Sequence, residues 1–309
     1  MLGPRQVQRD DVVAPFTAFL SVGGITLRVV SDDRRLAMRP GGSLEPFSTD
    51  QAVADVDVEI RARWTDTPPE CEGALLFDSG GAWQLRGSQD EFLFTFRSSI
   101  GGPDPYKAAR FNQTFTVGDV ALYRPHFEQH PSTTPYPLQY PLDEVLMVHA
   151  LAQGKGVEIH GCGLLDSSGR AYVFAGQSGA GKSTLARLLV DHPGVTLLSD
   201  ERVVLRTDRD RIAVFGTPWQ GDAHFASPLS GELGAVFFLN KAATHLVVPT
   251  SGSRAAARLF ACAFLPFHNA QAVERTIAAV EEVTRKTSCY DLWFAPDSSV
   301  IDTLIGYLK

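Results

Sequence analysis

The sequence predicts a mixed α/β protein, in which a mainly antiparallel β region at residues 1–137 precedes an α/β region at residues 138–309. In the first region apolar residues recur with a period of two, as they do along strands with one buried face. In the second region short apolar strands alternate with helical patterns, which is typical of α/β domains. A proline-rich stretch at 131–141 separates the two. With 309 residues, 44% hydrophobic and 20% charged, the chain is long and apolar enough to bury a sizeable core.

Alternation of apolar and polar residues over 56–64 and over 92–96 predicts two half-buried strands of the first region. Glycines between apolar runs predict hairpin turns at Gly23-Gly24, Gly80-Gly81 and Val117-Gly118-Asp119. His126 and His130 are four residues apart, but Pro125 and Pro131 disfavour a helix that would aim both at one metal ion.

The second region begins with a helical pattern directly after Pro141. The predicted helices are 142–152, 184–190, 253–263 and 270–286. The predicted strands are 157–160, 171–175, 195–198, 203–206, 212–215, 235–239, 246–248 and 290–294.

Charge and composition exclude several classes of partner. The net charge is −7, and 28 Lys and Arg against 35 Asp and Glu do not provide the dense positive field that nucleic-acid binding needs. No run approaches the roughly 20 apolar residues of a membrane span, so no membrane partner is expected. The four cysteines show no CxxC spacing and the first residues have no signal-peptide core, so reduced thiols and a cytoplasmic location are expected.

A glycine-rich motif, GxxxxGK[ST], lies between the strand predicted at 171–175 and the helix predicted at 184–190. Its residues are Gly176, Gln177, Ser178, Gly179, Ala180, Gly181, Lys182, Ser183 and Thr184. Such glycines let backbone N–H groups surround a phosphate, and the helix adds the positive end of its dipole. Lys182 then reaches the β- and γ-phosphates, and the Ser183 hydroxyl ligates Mg²⁺. The motif therefore predicts a bound nucleoside triphosphate with Mg²⁺ as cofactors.

The base of that nucleotide is predicted to be adenine. Asn240-Lys241 is similar to the start of a guanine-reading Asn-Lys-x-Asp element, but Ala243 stands where the acid is required. Without that carboxylate, no group accepts the guanine N–H groups, so ATP is favoured.

An acidic pair follows the strand predicted at 195–198, within Ser199-Asp200-Glu201-Arg202. Open α/β sheets bind ligands at the carboxyl ends of their strands. One acid of the pair is expected to hold Mg²⁺ and the other to accept the proton of an attacking hydroxyl or water. Spacing alone does not assign these two roles.

Three features in this order resemble the HPr kinase/phosphorylase family of P-loop kinases: His160-Gly161, the loop GQSGAGKS, and Ser199-Asp200-Glu201 in place of Ala-Asp-Asp. The resemblance covers about half of the chain and implies an HPr-kinase-like P-loop domain in the carboxy-terminal region. It further implies that Asp200 is the base, that Glu201 lies near the metal and that His160 lies beside the γ-phosphate. The alternative for His160 is a core histidine at a strand edge.

The sequence also departs from that family, because the Glu-x-Arg-Gly signature is not found. The comparable region reads Gly216-Thr217-Pro218-Trp219-Gln220-Gly221, a loop that resembles divergent members, some of which phosphorylate a serine of a peptide. The resemblance thus implies an ATP-dependent serine kinase for a peptide or small protein, without the reverse phosphorylase activity and with an acceptor other than HPr. It also implies a homo-oligomer.

Other interpretations stay open on the sequence alone. The protein is alternatively a kinase of a small metabolite, or a non-catalytic, nucleotide-dependent module in which the first region binds a peptide or partner. Trp219 either lines an acceptor groove or packs into a domain interface. Arg254 and Arg258, four apart on a predicted helix, either face the ligand or lie on a solvated face.

Overall fold

A computed structural model describes residues 16–49, 55–100, 102–208 and 210–307, and it shows a mixed α/β protein built around two large sheets. The first sheet contains the strands β1 (Phe16–Val22), β2 (Ile25–Ser31), β3 (Ser48–Thr49), β4 (Val58–Thr65), β5 (Ala74–Asp78), β6 (Trp83–Gly87), β7 (Glu91–Phe96), β8 (Lys107–Asn112) and β9 (Val117–Tyr123). Their order is β3-β1-β2-β4-β9-β8-β7-β6-β5. Neighbours pair antiparallel except β2 with β4 and β4 with β9, so the described part of this sheet is mainly antiparallel.

Local patterns in the first sheet were predicted with mixed success. β4 alternates buried and exposed residues as expected, whereas β7 is buried on both faces, including Leu93 and Thr95. Turns form at Gly23-Gly24 and around Gly80-Gly81. The turn predicted at 117–119 is wrong, because Gly118 lies within β9 opposite Phe111. A Cβ on Gly118 would come within 2.3 Å of the Phe111 ring, so this glycine makes room for an aromatic side chain instead of a turn.

Two helices connect the first sheet to the second. The helix α1 (Arg124–Gln129) forms despite its flanking prolines, so the expectation of no helix there is wrong. Pro125 occupies the first turn, where no intrahelical N–H is needed. The helix α2 (Leu142–Leu151) follows Pro141, and its buried residues include Leu142, Leu146 and Leu151.

The second region contains both strands and helices, but the predicted alternation is wrong, because five strands follow one another between residues 196 and 250. Its strands are β10 (Val157–Leu165), β11 (Ala171–Ala175), β12 (Thr196–Ser199), β13 (Arg202–Asp208), β14 (Arg211–Gly216), β15 (Ser230–Lys241), β16 (Leu246–Thr250) and β17 (Ser288–Phe294). Its helices are α3 (Lys182–Leu189), α4 (Gly252–Phe260), α5 (Ala270–Lys286) and α6 (Val300–Ile305).

The topology of the second sheet positions the glycine-rich loop. β11 pairs antiparallel with β10 and parallel with the longer β15, which in turn pairs parallel with β17. On the other side of β10, β13 and β14 continue the sheet antiparallel. The carboxyl ends of β11 and β15 therefore lie at the same edge, where the loop begins.

Packing joins the two regions. The core of the first sheet extends onto α2 and also includes Val204 of β13 and Trp219. Two further clusters fill the spaces around the second sheet. The four cysteines form no disulfide. Among the described helices, none combines the length and the apolar character that crossing a lipid bilayer requires.

Candidate functional site

The glycine-rich loop, residues 176–184, connects the end of β11 to the first turn of α3. Gly181 adopts a left-handed conformation, with φ 105°, immediately before the helix. A Cβ there would approach the Phe294 ring to 2.8 Å, and a Cβ on Gly176 would lie 2.7 Å from that of Ala180. Glycine is thus required both for the backbone conformation and for the close packing of the loop on its surroundings. Since Gly181 has no side chain to cap α3, the N–H groups of the first turn are left to an external acceptor.

Lys182 is buried beside this loop. Its Nζ donates to the Gln177 carbonyl at 3.4 Å and lies 4.0 Å from Oε2 of Glu201. Burial lowers the pKa of Lys182, while the Glu201 carboxylate opposes that effect. An ammonium group in such a position is ready to bind an anion held by the loop.

Glu201 faces Lys182 on one side and His160 on the other. The imidazole Nε2 of His160 donates to Oε1 of Glu201 at 2.8 Å. Strand pairing fixes this contact, since His160 lies opposite Arg202 in the β10–β13 register, and the N–H of Gly161 donates to the Glu201 carbonyl. Burial and the nearby Lys182 charge both lower the pKa of His160, which favours the neutral imidazole.

Asp200 occupies a different environment from its neighbour. It is completely buried, and its carboxylate accepts three backbone hydrogen bonds, from Gly221 (3.0 Å), Ala223 (2.7 Å) and Phe225 (3.2 Å). All three donors belong to the segment 217–225, which we call the Trp219 loop. Asp200 thus holds this loop in place, and the role of base that the family resemblance implies for it stays a prediction.

A cavity of 1070 Å³ opens above these residues. One wall is the glycine-rich loop with the start of α3, including Lys182, Ser183 and Thr184. A second wall is the Trp219 loop, and further walls come from residues 40–44 of the first region and from residues 134–143, which lead from that region into α2. Glu201 lines the cavity, whereas neither Asp200 nor His160 belongs to its lining within the described part of the chain.

Trp219 combines the two placements that the sequence left open, since it lines the cavity and is also only 5% exposed. Its indole Nε1 donates to Oδ2 of Asp143 on α2 at 2.9 Å. Asp143 is buried near Lys107, a lysine of β8 whose ammonium donates to the Gln139 carbonyl at 2.6 Å. Burial lowers the pKa of Lys107 to about 7 and raises that of Asp143. A buried polar network therefore connects the first sheet to the Trp219 loop.

A second buried network lies behind Glu201. Arg202 donates to Glu144 of α2 at 3.1 Å, and its Nε lies 3.8 Å from the fully buried Glu158. Burial raises the pKa of Glu144 to about 7 and, together with the neighbouring Glu144, raises that of Glu158 well above its usual range. One arginine thus serves two buried acids, which favours protons on this cluster.

The residues predicted for metal binding fit Mg²⁺. The Ser183 hydroxyl and the Glu201 carboxylate both line the cavity, and oxygen atoms of these kinds are what Mg²⁺ prefers. Among the described residues, no group of three or more His, Cys, Asp or Glu side chains is close enough to hold a metal ion.

Arg254 and Arg258 follow neither of their predicted alternatives completely. Both donate to the buried Asp291 of β17, Arg254 at 3.1 Å. Arg258 also donates to the side chain of Asn240, so its guanidinium is occupied within the sheet edge. Lys241, in contrast, is exposed and lines the cavity.

Sequence reasoning missed Arg187, Asp143 and His224, which all line the cavity. Arg187 had a usable signal, because it lies four residues after Ser183 on the same face of α3. Its guanidinium donates to the Asp222 carbonyl at 2.6 Å and so connects α3 to the Trp219 loop. Asp143 and His224 had no signal, since tertiary packing alone brings them to the site.

No protein-family model and no curated protein matches the sequence. Among solved structures, the chain is similar to the Hpr(Ser) kinase/phosphatase from Coxiella burnetii, with 12% identity and a TM-score of 0.28 over 48% of this chain and 93% of that chain.

Proposed function

We propose that this protein is an ATP-dependent phosphotransferase that moves the γ-phosphoryl group to a hydroxyl group of an acceptor. The observation that carries the proposal is the arrangement at the cavity, where Lys182 lies between the glycine-rich loop and the Glu201 carboxylate. A cation beside phosphate-binding N–H groups and a carboxylate facing the same space are the parts that phosphoryl transfer needs.

In this proposal the loop and Lys182 bind the triphosphate, and the Ser183 hydroxyl holds Mg²⁺, which neutralises charge on the phosphates when bound. We assign the role of base to Glu201 instead of Asp200, and not that of metal ligand, because Glu201 lines the cavity and Asp200 does not. Glu201 accepts the proton of the acceptor hydroxyl through Oε2, since Oε1 is already hydrogen-bonded to His160. His160 orients that carboxylate. Asp200 supports the reaction by fixing the Trp219 loop.

The acceptor is proposed to be a serine in a peptide or small protein. The cavity volume of 1070 Å³ slightly exceeds the range of small-ligand pockets, about 300–1,000 Å³. Its walls include residues 40–44 and 134–143, which offer contacts well beyond the reacting groups. Both features favour an extended acceptor over a small metabolite.

The test is transfer of label from γ-labelled ATP in the presence of Mg²⁺, with serine-containing peptides, free serine and simple sugars offered as acceptors. We expect Glu201→Gln to reduce transfer by roughly a hundredfold or more while nucleotide affinity changes by less than about threefold. Glu281→Gln, at an exposed position of α5, is the matched control and should behave as wild type. Transfer by Glu201→Gln at the wild-type rate would contradict the proposed base. Failure of the wild-type protein to transfer label to any acceptor would contradict the activity.

A further inference from the structure

His224 has a backbone conformation that few residues other than glycine adopt. Its φ is 60°, in the left-handed region. Among the residues that the structure describes, Phe115 is the only other non-glycine residue with a positive φ. Such conformations cost free energy and persist only where surrounding contacts impose them. They are found preferentially at ligand and active sites.

Backbone hydrogen bonds on both sides of His224 impose this conformation. The N–H groups of the two flanking residues, Ala223 and Phe225, both donate to the buried carboxylate of Asp200. The N–H of His224 itself donates to the Gly221 carbonyl, and its carbonyl accepts from Gln220 Nε2 at 2.9 Å. The backbone is therefore held on every side of His224.

The side chain, in contrast, is free. The imidazole is exposed, lines the cavity together with Lys182 and Glu201, and makes no hydrogen bond or ion pair with any residue that the structure describes. Because Arg187 connects the Trp219 loop to α3 through the Asp222 carbonyl, the backbone that carries this ring is also held relative to the helix that carries Lys182. A strained, firmly held backbone thus presents an unpartnered imidazole to the cavity that Lys182 and Glu201 share.

We propose that the His224 imidazole donates a hydrogen bond to the phosphoryl group while that group passes from nucleotide to acceptor. This inference rests on the proposed function. In the step, the bond from phosphorus to the acceptor oxygen forms, the bond to the bridging oxygen of the leaving nucleoside diphosphate breaks, and the hydroxyl proton goes to Glu201. His224 gains and loses no proton, and it stabilises negative charge on the non-bridging oxygens of the group in transit.

The test needs no knowledge of the acceptor. Aluminium fluoride bound with Mg²⁺ and ADP imitates a phosphoryl group in transit, so the gain in ADP affinity on adding fluoroaluminate measures contacts to that group. We compare wild type with His224→Gly, which accepts the left-handed backbone without strain and removes the ring. His224→Asn is the second variant, because asparagine also tolerates this conformation but is too short to replace imidazole. His192→Ala, outside the cavity lining, is the control.

We expect both His224 variants to bind Mg²⁺ and ADP alone within threefold of wild type and to lose at least tenfold of the fluoroaluminate gain. We also expect His224→Gly to unfold at the same or a higher temperature than wild type, and added imidazole to restore part of its lost gain. An unchanged gain in either variant overturns the role of His224 alone. A wild-type protein that binds ADP but shows no gain overturns the proposed function, and the role of His224 with it.

Discussion

Asp200 and Glu201 are adjacent in sequence, yet their carboxylates have different surroundings. Glu201 contacts His160 and faces Lys182 across the cavity, whereas Asp200 is covered by Gly221 and bonded to three N–H groups. The two residues follow the end of β12 at Ser199, and their consecutive side chains point to opposite sides of the chain. The two acids of the sequence motif therefore divide into one that reaches ligand and one that holds a loop.

Asp200→Asn should consequently destabilise the protein. The asparagine amide group places N–H donors against backbone N–H donors of the Trp219 loop, so at least one buried hydrogen bond is lost. We expect the free energy of unfolding in denaturant to fall by about 1–3 kcal/mol. Asp222→Asn, an exposed position of the same loop, is the control and should change it by less than about 0.5 kcal/mol. Equal stability of Asp200→Asn and wild type would argue against the anchoring role.

The helix α2 carries two buried acidic side chains that contact residues of the site. It contacts both β2 and β10, and it carries Asp143 toward Trp219 and Glu144 toward Arg202. Apolar residues on the remaining face, such as Leu146, pack into the core of the first sheet. One short helix thus combines core packing with two polar contacts to the site.

This arrangement predicts a pH dependence of stability. Burial raises the pKa of Glu144 from 4.5 to about 7, so the folded protein binds this proton more tightly than the unfolded chain does. The associated stabilisation is complete below about pH 4.5 and is lost as the pH rises through about 7. Glu144→Gln should remove this contribution, so the variant should not lose this stability as the pH rises. The difference in free energy of unfolding, variant minus wild type, should therefore increase by roughly 1–3 kcal/mol between pH 4.5 and 8.

Denaturant unfolding at a series of pH values measures that difference, with Glu281→Gln, exposed on α5, as the control. If the free energy of unfolding depends on pH in the same way in wild type and in Glu144→Gln, the pKa of Glu144 is not raised by folding.

Elements with strong local patterns were predictable from the sequence, and those set by packing were not. The strand at 171–175 and the helix at 270–286 have the predicted bounds, since a continuous apolar run marks the strand, and apolar periodicity with the Asn269 cap marks the helix. The turn predicted at Gly118 is wrong because the sequence does not distinguish a glycine that accommodates the Phe111 ring from a glycine that forms a turn. At the site, spacing identified the glycine-rich loop and the acidic pair, but the strain at His224 depends on contacts to Asp200 that no local pattern encodes.

At the scale of the whole molecule, the cavity belongs to both regions of the chain. Residues 40–44 and 134–143 close it over the glycine-rich loop and the Trp219 loop. The core of the first sheet likewise includes α2, Val204 and Trp219. Shared packing of this kind predicts that the two regions unfold together.

Unfolding should therefore be a single transition. Two variants test this, one that retains only Trp83 of β6 and one that retains only Trp293 of β17, and tryptophan fluorescence should report the same midpoint in both. Leu146→Ala, which empties a fully buried position of α2, should lower the free energy of unfolding by about 2–5 kcal/mol and shift both midpoints equally. Separate transitions for the two tryptophans would show that the regions are independent.

The central claim is that the glycine-rich loop binds a nucleoside triphosphate through its N–H groups and Lys182. Calorimetric titration with Mg²⁺ and ATP tests it most directly, using wild type and Lys182→Ala, with Lys286→Ala on α5 as the control for loss of a lysine. We expect saturable binding by wild type and by the control, and affinity at least tenfold weaker, about 1.4 kcal/mol, for Lys182→Ala. Equal affinity of Lys182→Ala and wild type, or no heat of binding with wild type, would contradict the account.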